Sequence, residues 1–236
     1  MSWLTKFLTS SIGRKLIMSL TGLFLILFLV VHLAGNLQLL IDDGGNAFNG
    51  YAYMMTHNPL IKVIAYGNYF FILLHAVQGI MLALANRQAK GSKYAVNTNE
   101  TASWASKNMA LLGTLIFAFI CIHMGDFWFK MHFTDQLAMV SVEGMDQQVK
   151  DLYTQVTTSF SIWWLVVIYL VGLLALAFHL WHGFQSAFQT LGLNHRKYTP
   201  LIQSIGKIFS IVVPAGFAIL PIVYFGDSMG WWNWFS

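Results

Sequence analysis

Histidine is the side chain with the most chemistry to offer in this sequence. Of its eight copies, five (His32, His75, His123, His179 and His182) lie inside long apolar runs. His57, His132 and His195 fall in polar connections, where solvation accounts for them. A neutral imidazole can bind a transition metal, relay a proton or hydrogen-bond a neighbour, and within an apolar run one of these roles must offset the cost of burial. The single cysteine, Cys121, also lies in an apolar run. It excludes an internal disulfide, a cysteine-ligated zinc site and a covalent C-x-x-C-H haem attachment. Coordination through histidine remains.

The elements that position these rings are set by composition. A chain that is 57% hydrophobic and 9% charged lies far outside the range of soluble domains and belongs in a bilayer. Five runs are long enough to cross about 30 Å of hydrocarbon: 16–40, 63–86, 109–129, 162–188 and 208–225. Only helices satisfy their own backbone there, so residues 1–236 are expected to form a single all-α bundle of five transmembrane helices. The first run has no cleavage site behind it and is too long for a signal peptide, which makes it a retained helix. Pro59 and Pro200 stand at helix starts, whereas Pro214 and Pro221 should bend the fifth helix. The connection 130–161 is long enough for a short surface helix.

Charge sorts the connections. Lys6, Arg14, Lys15, Arg87, Lys90, Lys93, Lys107, Arg196, Lys197 and Lys207 share one side with a single acidic residue, Glu100. The other side carries Lys62, Lys130 and Lys150 against Asp42, Asp43, Asp126, Asp135, Glu143, Asp146, Asp151 and Asp227. An excess of basic residues marks the cytoplasmic side, so the N-terminus is expected inside and the C-terminus outside. The net charge of +4 therefore concerns topology and implies no nucleic acid partner.

Depth then pairs the histidines. At 1.5 Å per residue, His32 lies about 25 Å beyond Lys15 and His123 about 24 Å beyond Lys107. They share an outer level. His75 lies about 18 Å from Arg87, and His179 and His182 also lie toward the cytoplasmic end of their helix. Two imidazoles at one depth on different helices can take the two faces of a flat porphyrin, so the levels predict two b-type haems. The outer would be held by His32 and His123, the inner by His75 and either His179 or His182. Gly22 and Gly113 each precede an outer histidine by ten residues, at the inner level, where a missing side chain lets a porphyrin edge approach. Gly67 and Gly172 do the same at the outer level. Close helix packing explains the glycines equally, and hydrogen bonds to neighbouring helices are the plain alternative for the histidines.

The runs SLTGLFLILFLVVHLAGN (19–36), FILLHAVQG around His75, IFAFICIHM around His123 and FHLWHGFQSAFQTLG around His179 resemble the dihaem cytochrome b subunit of succinate dehydrogenase and fumarate reductase. The likeness covers all five helices in order. It implies a multi-pass subunit of the bacterial cytoplasmic membrane that anchors flavoprotein and iron-sulfur subunits and carries electrons between them and a membrane quinone such as menaquinone. It also admits a higher oligomer of the complex. The family's ligand-then-glycine pattern selects His179, followed by Gly183, over His182. Quinone is expected near the outer haem, with Asn36, Gln38, Asp42, Asp43 and Asn49 as candidate contacts, a solvated loop being the plainer reading of the same residues. Haem propionates would find Arg14, Lys15, Arg87, Lys93, Ser19 or Thr21. The sequence carries no flavin or dinucleotide signature, so the chain is an enzyme only as a subunit and would not oxidise succinate alone. The competing readings are the cytochrome b subunit of a quinone-linked hydrogenase or formate dehydrogenase, a haem-free proton-coupled transporter, and a haem-free structural anchor, the last disfavoured by the paired depths.

Overall fold

The computed structural model describes residues 2–89 and 103–234. Lys90, Lys93 and Glu100 therefore lie outside the described residues. Short α1 (Trp3–Thr9) leads into α2 (Ser11–Asn36), which tightens into a 3-10 turn at Leu37–Leu40. Next come α3 (Asn46–His57), α4 (Pro59–Ala89), α5 (Trp104–Lys107) and α6 (Met109–His123). A π-helical stretch, Met124–Phe129, joins α6 to α7 (Lys130–Phe133) without a break. A hairpin of β1 (Met139–Ser141) and β2 (Gln148–Lys150), then α8 (Leu152–Phe160), α9 (Trp163–Thr190) and α10 (Thr199–Ser228), complete the chain.

Among the described residues, five helical segments are long and apolar enough to cross a membrane: Ser11–Leu40, Pro59–Gln88, Met109–Phe133, Trp163–Thr190 and Thr199–Ser228. They are longer than the apolar runs because polar caps extend them. The Ser10 hydroxyl accepts from the Gly13 N–H at 3.1 Å, and the Asn58 Oδ1 accepts from Leu60 and Ile61 at 3.0 and 3.2 Å. Pro59 stands at the first position of α4, where its missing N–H costs nothing. α10 continues through Pro214 and Pro221 as one helix. Large apolar side chains such as Leu27, Val63 and Ile208 are exposed along the spans, a surface suited to lipid or to a partner rather than water.

α2, α4, α6 and α9 pack neighbour to neighbour in a ring, α2 against α4, α4 against α6, α6 against α9, and α9 against α2. α10 lies outside this ring, chiefly against α9. The more extensive buried core lies where the acidic connections gather. Leu39, Phe48, Val156, Phe160, Val166, Tyr169, Leu220 and Tyr224 pack together there, and the Tyr224 hydroxyl donates to the Leu39 carbonyl. At the basic end a smaller cluster joins Ala105, Leu112 and Ala175.

The acidic end is more ordered than the connections suggested. The short helix expected within 130–161 is present as α8, but the β1–β2 hairpin and α3 were not expected, being too short and polar to carry a hydropathy signal. Asn49 fastens them together. Its Nδ2 donates to Asp151 Oδ1 at 2.9 Å, and its Oδ1 accepts from the backbone N–H groups of Leu152 and Tyr153 at 3.0 and 2.9 Å. Asp151 in turn caps α8 by accepting from the Thr154 N–H at 3.0 Å. Burial would raise the Asp151 carboxyl, but hydrogen bonds from Thr154, Asn49 and Tyr153 overcome it and hold the group below its ordinary value.

Two outcomes follow. Asn49→Ala strands the two α8 N–H groups and should cost about 2 kcal/mol, read as a lower melting temperature in detergent. Because the folded Asp151 carboxyl is depressed, its contribution is complete above the unfolded value of about 3.9 and disappears as pH falls through the folded one. Protection factors in residues 148–160, corrected for the intrinsic pH dependence of exchange, should therefore fall at acidic pH in the native protein, and the fall should be absent in Asp151→Asn.

Candidate functional site

Across the ring the histidines meet in two pairs. His32 on α2 faces His123 on α6, with ring centroids 5.7 Å apart and the rings nearly perpendicular at 87°. His75 on α4 faces His179 on α9 at 6.1 Å and 69°. Each pair spans one diagonal of the ring α2–α4–α6–α9, at different points along the bundle. His179, rather than His182, meets His75; His182 lies three residues further along α9 and is half-buried. All four paired rings are half-buried.

The walls of the two levels differ. Around the outer pair the side chains are aromatic: Phe28 stacks on His32 at 5.1 Å, Phe217 tilts against it at 5.4 Å, and Phe119, Phe127 and Tyr169 surround His123 at 5.8, 5.4 and 6.1 Å. Polar contacts to the outer rings are long. Asn36 Nδ2 donates to its own helix, to the His32 carbonyl at 2.7 Å, and lies 3.4 Å from the His32 Nδ1. The Tyr169 hydroxyl is 3.5 Å from the His123 Nδ1.

At the inner level the buried Thr21 hydroxyl lies 3.1 Å from the His75 Nδ1. The Nδ1 of His179 is buried and has no hydrogen-bond partner. A Cβ added to Gly22 would come within 3.2 Å of the His75 Cε1. The absent side chain thus makes room for the imidazole itself. Nothing lies within 4 Å of the corresponding point at Gly113 or Gly67, whereas at Gly172 the Phe119 ring fills the space. Gly172 therefore serves close helix packing.

The remaining sequence candidates separate by what their polar atoms already do. Ser19 is buried and donates to the Lys15 carbonyl at 2.9 Å. Arg14 is half-buried, while Lys15 and Arg87 are exposed at the basic end. Gln38 is half-buried in the 3-10 turn and Asp42 is exposed. Asp43 accepts from the Gly45 and Ala47 N–H groups at 3.0 and 2.8 Å, which commits both of its oxygens to starting α3. Asn49 is committed to the α3–α8 tie described above. Of the five candidate quinone contacts, only Asn36 touches a paired histidine.

Asp126 reads in sequence only as one of the acidic residues of its side, with no site role. It sits three residues beyond His123, in the π-helical stretch, where Lys130 pairs with its Oδ1 at 2.9 Å and Gln155 donates to the same oxygen at 3.0 Å. Gln155 also donates to the buried Ser159 hydroxyl at 3.0 Å. The second oxygen of Asp126 is buried without a partner. π-Helical turns recur at functional sites because they turn side chains out of α register. The available signal was a lone carboxylate at the end of an apolar run, close to an outer histidine.

No protein family, curated protein or solved structure gives a match to this chain. The likeness to the dihaem cytochromes thus rests on the residues quoted above. The packing role of Gly172 is open to test: Gly172→Ala drives a methyl into the Phe119 ring and should cost about 1–3 kcal/mol. Gly113→Ala, which meets open space, should leave the melting temperature of the unliganded protein nearly unchanged.

Proposed function

We propose that this chain is a multi-pass membrane cytochrome b with two haems, the anchor and electron-transfer subunit of a succinate:quinone oxidoreductase. The observation that carries the reading is the spacing of the histidine pairs. Two imidazoles on opposite faces of one iron, at nitrogen–iron distances of about 2 Å, have ring centroids about 6 Å apart. The two pairs stand at 5.7 and 6.1 Å. A pair of nitrogen donors suits a metal that brings its equatorial ligands with it in a macrocycle. His32 and His123 would hold the outer haem, and His75 and His179 the inner one.

When bound, the haems supply one-electron carriers at two depths. The chain's own residues do the rest. Four helices each contribute one ring, so the distance between levels is set by helices rather than by loops. The basic end, bearing Arg14, Lys15, Arg87 and Lys107, is the side expected to face the cytoplasm and to receive the iron-sulfur and flavoprotein subunits. At the acidic end Asp126 offers a buried oxygen three residues from His123, held in place by Lys130 and Gln155. That oxygen can only accept, so it is suited to receiving a hydrogen bond from the hydroxyl of a reduced quinone headgroup, such as menaquinol. Asp42 and Asp43, exposed or committed to α3, are less suited.

The test is a reduced-minus-oxidised spectrum with pyridine-haemochrome quantification on the purified membrane protein. Two b haems per chain are expected, and His32→Ala, His123→Ala, His75→Ala and His179→Ala should each lose one. His182→Ala should keep both. A wild-type chain without haem would sink the reading and return the histidines to proton transfer or packing. In the assembled complex Asp126→Asn should retain both haems while quinone turnover falls by about tenfold or more, the scale of losing one positioned polar contact to a reacting group.

A further inference from the structure

We infer that Thr21 is a positioning residue for His75: its hydroxyl accepts the Nδ1–H of the imidazole, fixes the tautomer that leaves Nε2 free, and strengthens that nitrogen as a donor. The inference rests on the haem reading above, and it starts from the hydroxyl's own proton. Thr21 Oγ1 lies 2.8 Å from the Ile17 carbonyl and 3.1 Å from the Met18 carbonyl, two acceptors that can only receive a proton. We assign the hydroxyl proton to this backward bond along α2, the shorter contact and the habit of buried threonines in apolar helices. Its one proton is spent. The remaining contact, 3.1 Å to the His75 Nδ1, then requires the imidazole to donate. A neutral ring that carries its proton on Nδ1 has its lone pair on Nε2.

The other three rings lack this arrangement. The Nδ1 contacts of His32 and His123, at 3.4 and 3.5 Å, are too long to fix a tautomer. The His179 Nδ1 is buried with no partner at all. The inner pair is thus asymmetric, with one ring held by α2 and the other not. Gly22, adjacent to Thr21, leaves the space that brings the His75 ring close enough for the contact. α2 accordingly serves both levels. It supplies one outer ring, His32, and orients an inner ring that belongs to α4.

Donation from Nδ1 raises the basicity of Nε2, which favours the ferric over the ferrous state and lowers the midpoint potential. Thr21→Val keeps the shape and removes the hydroxyl acceptor, leaving His75 its backbone contact at Met18, also on α2; Thr21→Ser keeps the hydroxyl. Potentiometric titration and low-temperature electron paramagnetic resonance of the full chain in membranes read the consequence, with His75→Ala identifying which signal belongs to the inner haem. Thr21→Val should shift the ferric-to-ferrous affinity ratio of that haem by about three- to tenfold. At 59 mV per tenfold for one electron, this raises its midpoint by about 30–60 mV. The ferric signal of the inner haem should change, the outer haem should be unaffected, and Thr21→Ser should resemble the wild type. Loss of the inner haem alone in Thr21→Val, with retention in Thr21→Ser, has the same meaning. Two haems with unchanged midpoints and signals in Thr21→Val would overturn the inference while leaving the dihaem reading intact, as would Thr21→Ser behaving like Thr21→Val. A wild-type chain that binds no haem overturns both.

Discussion

An imidazole placed among apolar side chains has to be given something to bind, and this bundle sets four of them face to face across its centre. The ring α2–α4–α6–α9 has two diagonals, and each is bridged by one histidine pair at its own height. Side-by-side neighbours could satisfy a histidine with a local hydrogen bond and no particular spacing. Opposed helices cannot reach each other so easily, and the rings meet only because each points inward at the same depth as its counterpart. The helix order, the small residue at Gly22 and the aromatic wall around the outer pair all follow from that requirement. α10, which carries none of these four histidines, lies outside the ring against α9.

The sequence made the helices and the histidine levels legible because both depend on quantities local to one helix. Apolar run length sets a span, and residue count from a charged end sets depth. The ends of the spans were misjudged by several residues because caps such as Ser10 and Asn58 are polar and hydropathy ends where they begin. Choosing between His179 and His182 was beyond any such count. Three residues apart on a helix, they share nearly one face, and only the packing of α9 against its neighbours decides which reaches His75.

What stayed hidden shares one property: it depends on partners far away in the chain. Thr21 finds His75 across 54 positions, and Asn49 finds Asp151 across 102. Asn49 read as a free polar group in sequence because its partners are invisible there; Asp43 is the exception, its donors Gly45 and Ala47 lying only two and four residues on. Asp126 was seen, but its surroundings were not. The π-helical stretch turns it toward Gln155, which lies on a helix that no hydropathy profile marks.

The bond from Tyr224 to the Leu39 carbonyl spans 185 residues and joins the last long helix to the end of the first. A chain made from its N-terminus must therefore hold the end of α2 open until α10 arrives, with all of the intervening loop-closure entropy still to be met. The carbonyl it completes belongs to a 3-10 turn, where the regular helical ladder no longer supplies every partner. Closure of the acidic end is thus an event of late synthesis, and a ribosome-bound chain that stops short of Tyr224 can carry all four paired histidines while lacking the bond that locks α2 to α10.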